Sequence, residues 1–567
     1  MEYSGRLSYF FRKYSLVRFI CAAALITIVV TSVVLIGLKN KVVPEIEAIV
    51  PPVGSPGDII VIKGKNFGDV RDMSYVEFSG SKVTASSYIS WEDTQIKLIL
   101  PSNVQDGLVV VGVKNERSKP ALFANEVDIP VPVKATVQTT KPVISSLSSN
   151  KLGIGALLTI YGNNFGASRG QSKVLFSCDY DRAISTASFI TKTLLGNNLV
   201  PAGEFDEDYE YWSNNEIRVR VPDGACSGIV VVDNGRERSE SVAFTVNATA
   251  GTKVYEGKKI YLVQYSADVS DVVTTDVSTI TLRCPIPMII PSQPTLELTE
   301  VTPTPILQNY QNCIIHQITK NRNNLPKSVF SQTFVVPVYE IKTDVKAAGV
   351  TNYKNMNPLL VEKYTKSDAI IMSDNSAITE LAAEITGKET NAYKKAQLIY
   401  SYMIDNYEVL NKVRKNDADP LDLLKKENGD AYDYAVIFTA LARASGIPAL
   451  VDSGILIGQN LSTQVHWWCE IYLGGFGWFP VDVALGDDLE YKKWSDNFDS
   501  KTFYFGNMDS HHVVFYRGYN DIKPFAQDNK TVKYPKSFAL QSIWEEASSN
   551  TAKYSSYWSV PNIKGVY

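Results

Sequence analysis

The spacing of apolar and polar positions divides the chain into an apolar segment, a long β-rich region and a shorter helical region. In the β-rich region apolar residues alternate with polar ones, as at Ile60 and Ile62, and glycines mark the turns. Residues 253–345 alternate in the same way and predict a further β domain. From about residue 376 apolar residues recur at helical spacing. The pattern therefore predicts a multidomain fold, mainly β, with a C-terminal α+β domain.

An internal repeat occupies the first part of the β-rich region. The segments Gly57–Gly68 (GDIIVIKGKNFG) and Gly155–Gly166 (GALLTIYGNNFG) stand 98 residues apart. A second shared marker begins at Trp91 and at Trp212, which are 121 residues apart, so the second copy holds 23 additional residues. We expect this insertion in the Tyr- and acid-rich region near 196–211. About one hundred residues per copy is typical of a β-sandwich.

The repeated Ile-x-Gly-x-Asn-Phe-Gly pattern resembles the IPT/TIG immunoglobulin-like family. The resemblance implies two such domains, at residues 44–133 and 142–248. Modules of this fold serve as spacers, as binding faces or as companions of enzymes, so the fold alone does not give the function. We favour a rigid stalk. The insertion near 196–211 is the candidate contact surface, and a solvated loop is the alternative.

The apolar run Phe19–Leu38 is long enough to cross a bilayer as a helix. More positive charge lies before the run than after it, which predicts that residues 1–18 are cytoplasmic and that the bulk of the chain is periplasmic or extracellular. No small-x-small cleavage site closes the run, so we predict an uncleaved signal anchor. A cleaved signal peptide is the alternative.

Composition limits the kinds of partner. The net charge is −4 and no basic block is present, so no nucleic-acid partner is expected. No spacing of cysteine and histidine resembles a zinc site, so no metal and no cofactor are predicted. An exported location permits disulfides, and Cys178 could pair with Cys226, and Cys284 with Cys313, each within its own domain. Cys469 would then be a single buried thiol.

Two further segments carry a second resemblance. Gly429–Pro448 (GDAYDYAVIFTALARASGIP) is predicted to contain a helix, Ala431–Ser445, and is followed by His466–Asp482 (HWWCEIYLGGFGWFPVD). Together they resemble the bacterial transglutaminase-like core with papain-type chemistry. That family carries Gly-x-Cys-x-Asp-x-Ala at a helix start, then His-x-Trp, then Trp-x-Pro-x-Asp. The resemblance implies a β domain at 253–370, the core at 371–530 and a C-terminal extension at 531–567.

The chain departs from the family at the nucleophile, because Ala431 stands where the family has cysteine. The triad-equivalent positions are therefore Ala431, His466 and Asp482. Acyl transfer needs a thiolate that attacks the carbonyl, an imidazole that moves the proton and a carboxylate that orients the imidazole. Asp430 is a poor nucleophile, and Cys469 should face the opposite side of the strand from His466. An engineered Cys-to-Ala change would leave the same sequence.

These observations lead us to expect a membrane-anchored extracytoplasmic pseudoenzyme that acts as a binding or scaffold protein in the cell envelope. Its partner would be an envelope protein, a peptide or a glycan. Four aromatic residues either line a binding groove or fill the core: Tyr434, Trp467, Trp468 and Trp478. One alternative is an active thiol-type protease or transglutaminase with an unforeseen nucleophile. The other is a purely structural envelope protein.

Overall fold

The computed structural model describes Thr27 and residues 43–101, 107–114, 116–125, 141–181, 198–203, 205–321, 328–491, 493, 498–525, 528–548 and 550–567. Strands hold 46% of the residues and helices 15%, so the fold is mainly β, as predicted. Apart from Thr27, the predicted anchor at 19–38 lies outside the described residues. Within the described residues, no helix has the length and apolar character that a membrane span needs. The chain divides into two units, residues 1–131 and 132–567.

The first unit contains a β-sandwich with its own apolar core. One sheet has the order β1-β3-β7-β6, and the other has the order β2-β10-β8-β4-β5 with β9 paired to β8. The strands are β1 Glu45–Val50, β2 Val53–Gly54, β3 Ile59–Lys65, β4 Tyr75–Phe78, β5 Ser81–Lys82, β6 Tyr88–Glu92, β7 Gln95–Ile99, β8 Gly107–Val113, β9 Glu116–Arg117 and β10 Ala121–Asn125, with a 3-10 turn at Ala85–Ser87.

The second unit begins with a sandwich of matching topology. Its sheets have the orders β11-β13-β17-β16 and β12-β19-β18-β14-β15, which repeat the connections of the first sandwich. The strands are β11 Val143–Leu147, β12 Lys151–Leu152, β13 Leu157–Asn163, β14 Lys173–Cys178, β15 Leu199–Pro201, β16 Tyr209–Trp212, β17 Glu216–Arg220, β18 Ala225–Asp233 and β19 Val242–Val246. The internal repeat of the sequence is therefore a repeat of structure.

Close backbone approach explains the glycine inside the repeated motif. A Cβ on Gly64 would lie 1.9 Å from the carbonyl oxygen of Glu45, and a Cβ on Gly162 would lie 1.9 Å from that of Val143. No side chain fits at either position without moving the paired strand.

The second sequence marker of the repeat contacts the first marker in both sandwiches. The indole N–H of Trp91 donates to the carbonyl oxygen of Phe67 at 2.9 Å, and that of Trp212 donates to Phe165 at 3.1 Å. The same contact is kept although the second copy carries the insertion. The insertion therefore lies outside the motif that holds the sandwich together.

The β domain that follows is built from two segments distant in sequence. Its first strands are β20 Gly251–Asp268, β21 Val273–Thr274, β22 Ser278–Pro285, β23 Glu297–Thr302, β24 Leu307–Tyr310, β25 Cys313–Lys320 and β26 Val329–Val345. The predicted C-terminal extension completes its sheets with β33 Lys530–Val532, β34 Glu545–Ala547, β35 Thr551–Lys553, β36 Tyr557–Trp558 and β37 Asn562–Val566. Residues 531–567 are thus an integral part of this domain, because they pair with β20, β21 and β22.

The α+β domain places helices against a four-stranded antiparallel sheet of order β31-β30-β29-β32. Its helices are α1 Pro358–Thr365, α2 Ser376–Thr386, α3 Ala392–Asn406, α4 Leu423–Lys426, α5 Ala431–Ala444, α6 Val483–Gly486 and α7 Ser500–Phe503, with 3-10 turns at Ala347–Gly349, Tyr353–Asn355 and Pro420–Asp422. Its strands are β27 Glu408–Val409, β28 Asn428–Gly429, β29 Ala449–Ile457, β30 Thr463–Leu473, β31 Gly477–Val481 and β32 His512–Arg517.

The acid-rich loop between β15 and β16 of the second sandwich packs onto the α+β domain. Asp206 accepts a hydrogen bond from the indole N–H of Trp478 at 2.9 Å, and the ring of Phe205 lies 4.6 Å from the guanidinium of Arg517. The amide of Asn357 donates to the carbonyl oxygen of Glu207 at 2.6 Å. This acid-rich loop therefore contacts its own chain. Strand register places most of the additional residues before it, because 2 residues separate the paired Phe78 and Ser81 but 23 separate the equivalent pair Phe176 and Val200, so the expected position near 196–211 is wrong for most of the insertion.

Candidate functional site

Helix α5 begins at the position where the sequence analysis places the missing nucleophile. Ala431 is the first residue of the helix, and it is buried. Asp430 caps the helix, since its side chain accepts from the Asp433 N–H at 3.1 Å, while the Asp433 carboxylate accepts from the Asp430 N–H at 2.9 Å. This reciprocal capping box satisfies the first amide groups of the helix. The side chain at position 431 is a methyl group and takes no part in it.

Two basic residues neutralise the capping carboxylates. Arg414 donates from Nε to Asp433 at 2.6 Å, and Lys536 donates from Nζ to Asp430 at 2.7 Å. Lys536 also lies over the ring of Tyr432, 5.1 Å from its centroid. Burial raises the pKa of Asp433, and the guanidinium of Arg414 opposes that rise. Sequence reasoning missed both basic residues, because neither belongs to a motif and Lys536 comes from the predicted C-terminal extension.

The imidazole of His466 and the carboxylate of Asp482 form a fully buried pair. His466 lies on β30, Asp482 directly follows β31, and His466 Nε2 is 2.6 Å from Asp482 Oδ2. Asp482 also caps α6, because its Oδ1 accepts from the Leu485 N–H at 2.9 Å. Among the described residues, His466 Nδ1 has no hydrogen-bond partner although it is buried. The predicted base and its orienting carboxylate are therefore in contact.

A second imidazole shares the same carboxylate. His512 Nε2 lies 3.2 Å from Asp482 Oδ2, and His512 Nδ1 lies 2.8 Å from Asp509 Oδ1. His512 begins β32, and the pairing of β32 with β29 brings it to the site. Sequence reasoning missed His512, because it belongs to neither of the two motifs of the transglutaminase-like resemblance.

The two carboxylates and the second imidazole shift one another's pKa. Burial disfavours the charged form of His512, but Asp509 and Asp482 outweigh burial and raise its pKa to about 9. Burial likewise opposes ionisation of Asp482, and the two imidazoles lower its pKa to about 2. The pKa of Asp509 is also lowered, because His512 outweighs the effect of burial. The two carboxylates therefore favour the protonated form of His512 against the effect of burial.

Cys469 faces away from the His466–Asp482 pair, as predicted. Its thiol lies 3.3 Å from the carbonyl oxygen of Ala435 on α5, and burial raises its pKa well above the usual value for a thiol. Trp467 points to the same side and packs edge-on against Tyr432, with ring centroids 5.4 Å apart. Burial and a raised pKa both disfavour the thiolate, which is the reactive form of a cysteine.

The four aromatic residues predicted to line a groove or fill the core are all buried. Tyr434 donates to Asp487 at 2.7 Å, and Trp478 donates to Asp206. Trp468 packs between His466 and His512, with ring centroids 5.9 Å and 5.0 Å away. The burial of all four rings supports the core alternative against the groove, because the partners of these rings are other side chains of the same chain.

Of the proposed cysteine pairs, the second is not formed, since Cys284 and Cys313 are free thiols in this structure. Strand register explains the second pair, because Cys284 lies opposite Ile314 and Cys313 lies opposite Pro285. Adjacent residues of a strand point to opposite faces, so Cys284 and Cys313 enter different apolar clusters. In the first pair, Cys178 lies opposite Ala225, the neighbour of Cys226, at a bulge between β14 and β18.

One cavity and one group of possible metal ligands lie near these residues. A cavity of about 290 Å³ is lined by Lys536, which bonds the α5 cap, and by Val465, Trp544, Tyr557 and Trp558. In the group of possible metal ligands, one ligand atom from each of His466, Asp482 and His512 lies within 4.8 Å of the other two. The sequence analysis predicted no metal ligands, because these residues follow no known metal-binding spacing.

Comparisons with known proteins agree with both resemblances. Residues 379–483 match the model of the transglutaminase-like superfamily, and residues 44–124 and 142–246 match that of the IPT/TIG domain. An uncharacterized protein of Haemophilus influenzae is 33% identical over 194 residues, which cover 29% of this chain and 51% of that protein. The chain thus spans about half the length of this curated relative.

Two solved structures also align with the chain at low similarity. A candidate cysteine protease from Cytophaga hutchinsonii has 15% identity, with 55% of this chain and 93% of that chain covered and a TM-score of 0.35. The periplasmic domain of TgpA from Pseudomonas aeruginosa has 12% identity, with 42% and 88% covered and a TM-score of 0.24.

The charge state of His512 predicts a loss of stability at alkaline pH. Because the pKa of His512 is raised in the folded state, protonation of His512 stabilises the fold. This stabilisation is fully present below pH 6.5, the ordinary pKa of histidine, and is lost as the pH rises through about 9. The difference corresponds to roughly 3 kcal/mol. Asp482 has the corresponding effect at acid pH. Its lowered pKa stabilises the fold above pH 3.8, and this stabilisation is lost as the pH falls through about 2.

Urea unfolding of the full chain between pH 6 and pH 10, with a chelator in the buffer, measures the alkaline loss. His512→Gln should remove this decline. His316→Gln is the matched control, because burial lowers the pKa of His316 to about 4 and it is already neutral in this range. An equal decline in the wild type and in His512→Gln would show that His512 is not the responsible group.

Proposed function

Since the chain carries a transglutaminase-like core at residues 379–483 and two IPT/TIG domains, we propose that it is a pseudoenzyme that serves as a binding or scaffold protein in the cell envelope. The observation that carries the proposal is Ala431 at the start of α5, together with the buried, unpartnered Nδ1 of His466. A methyl group forms no acyl-enzyme, so the His466–Asp482 pair has no nucleophile to activate.

The surroundings of Ala431 support a non-catalytic role. In thiol enzymes of this type the helix N-terminus favours the thiolate. Here two carboxylates and the ammonium of Lys536 occupy the N-terminus of α5, and the Lys536 side chain is 1% exposed. Asp430 is fully engaged in this cluster and Cys469 is on the opposite face, so neither supplies a substitute nucleophile.

A membrane anchor at Phe19–Leu38 is part of the proposal. It rests on the apolar run and on the positive charge before it, which favour a cytoplasmic N-terminus. The rest of the chain would then be periplasmic or extracellular. Protease added to intact spheroplasts should digest this part, and protection of the two sandwiches would show the opposite orientation.

The candidate surface for a partner is the cavity beside the α5 cap. Tyr557 is 69% exposed at its rim, whereas Trp544 is buried in its wall and its indole N–H has no partner among the described residues. The indole N–H of Trp558 is held by the buried carboxylate of Glu545. An exposed aromatic ring, an unsatisfied donor and fixed walls are features of sites that bind peptides or glycans.

Ala431→Cys tests whether the position is a vestigial active site. The wild-type chain should show no cross-linking or cleavage with amine donors, glutamine peptides or peptidoglycan fragments. The introduced thiol should react with a small alkylating reagent at least tenfold faster than Cys469, because it lies at a helix N-terminus rather than against the side of the helix.

Ala435→Cys is the matched control, since it places a buried thiol one turn further along α5. Equal alkylation of the thiols introduced at 431 and 435 would contradict a preserved site. Turnover by the wild type that His466→Ala abolishes would overturn the pseudoenzyme proposal itself.

Substitutions at the cavity separate partner binding from core packing. Tyr557→Ala should reduce capture of partners from solubilised envelopes and leave thermal unfolding unchanged, because the side chain is exposed. Trp467→Ala should instead lower the free energy of unfolding by about 3–5 kcal/mol. Tyr161→Ala, at an exposed tyrosine of the second sandwich, is the control for surface aromatics. If the Tyr557→Ala and Tyr161→Ala variants capture equal amounts of partner from solubilised envelopes, the cavity is not the partner site. A purely structural role is then favoured.

A further inference from the structure

Two imidazoles converge on one carboxylate in the α+β core. The Nε2 atoms of His466 and His512 lie 2.6 Å and 3.2 Å from the same oxygen, Oδ2 of Asp482. One ligand atom from each residue lies within 4.8 Å of the other two, and all three side chains are buried. Three different structural elements supply them, namely β30, β32 and the residue that caps α6.

The groups behind these atoms hold them in place. His512 Nδ1 lies 2.8 Å from Asp509 Oδ1, and Asp509 is held in turn by the hydroxyl of Tyr504 at 2.8 Å. Asp482 Oδ1 is occupied by the Leu485 N–H, which leaves Oδ2 for the two imidazoles. A carboxylate behind a histidine that ligates a metal is the usual outer-shell arrangement of metal sites.

The spacing suits a small divalent transition ion. Zinc binds imidazole nitrogen and carboxylate oxygen at about 2.0–2.2 Å, so neighbouring ligand atoms in a tetrahedral site stand roughly 3.3 Å apart. The separation between His512 and Asp482 already has this value within about 0.1 Å, and that between His466 and Asp482 must widen by about 0.7 Å. His466 can shift without losing a second hydrogen bond, because its Nδ1 has no partner among the described residues.

We propose that His466, Asp482 and His512 form a binding site for Zn²⁺ or a related divalent transition metal, whose binding releases the proton from Nε2 of His512 to solvent. Two imidazoles and one carboxylate favour such ions over Ca²⁺ and Mg²⁺, which prefer oxygen ligands. The site gives the retained His–Asp pair a role that needs no thiol. It does not depend on the pseudoenzyme proposal, since it uses neither Ala431 nor the cavity at Tyr557.

The test uses the full chain, purified in detergent without a histidine tag, stripped with a chelator and desalted. Co²⁺ should bind at one equivalent per chain with visible ligand-field absorption, and one equivalent of Zn²⁺ should displace it. His512→Gln should weaken Zn²⁺ binding at least 100-fold. Asp509→Asn, which changes only the group behind His512, should weaken it about 10–100-fold.

His511→Gln is the matched control, because His511 is adjacent in sequence but contacts Tyr261 at 2.9 Å instead of Asp482. It should bind Zn²⁺ like the wild type. Absence of stoichiometric Co²⁺ binding by the folded wild type, or equal affinity of His511→Gln and His512→Gln, would overturn the proposal.

A measurement on the unmutated chain guards against a variant that fails to fold. The chain has four histidines, so its imidazole nitrogen NMR spectrum contains few signals. Added Zn²⁺ should shift the Nε2 resonances of two histidines and leave the other two in place. Shifts at none of them, or equal shifts at all four, would also overturn the proposal.

Discussion

A carboxylate buried away from water must be paired, and the α+β core is organised around one such group, Asp482. One of its oxygens caps α6 through Leu485, and the other faces His466 and His512. The sheet strands β30, β31 and β32 are thereby tied to a helix at a single point. Removing either partner would leave charge uncompensated in the interior. The His–Asp pair therefore has a structural reason to persist that is separate from catalysis.

The same constraint explains how distant segments are recruited to the core. The cap of α5 needs positive charge, and it obtains this from Arg414 and from Lys536 in the C-terminal segment. At another face Arg517 donates to Glu470 at 2.8 Å and stacks on Phe205 of the acid-rich loop between β15 and β16. Each buried charge is thus paired with a residue from a distant segment, and the local sequence does not specify that partner.

Local patterns were sufficient for the two sandwiches and for helix α5, and the resemblance to the transglutaminase-like core supplied the pairing of His466 with Asp482. The repeat could be predicted because Gly64 and Gly162 are fixed by close backbone approach, which leaves a clear mark in the sequence. The predicted helix from 431 to 445 ends one residue later than α5 does. Long-range partners could not be predicted, because no periodicity marks His512 or Lys536 as belonging to the site. For the same reason, the sequence does not decide whether the four aromatic residues line a groove or fill the core. The residues that contact them come from other parts of the chain.

The pairing of the C-terminal strands with β20 has a consequence for how the chain is made. Ser266 in β20 donates through its backbone N–H to the hydroxyl of Ser559 at 2.8 Å, and these residues are 293 positions apart. Each of the two sandwiches can fold as soon as it has been synthesised, because its strands pair only with one another. The β domain must wait with an open sheet edge until β36 and β37 have followed. During that interval the unpaired edge of β20 is exposed to incorrect strand pairing. This part of the chain therefore depends more on chaperones than the sandwiches before it do.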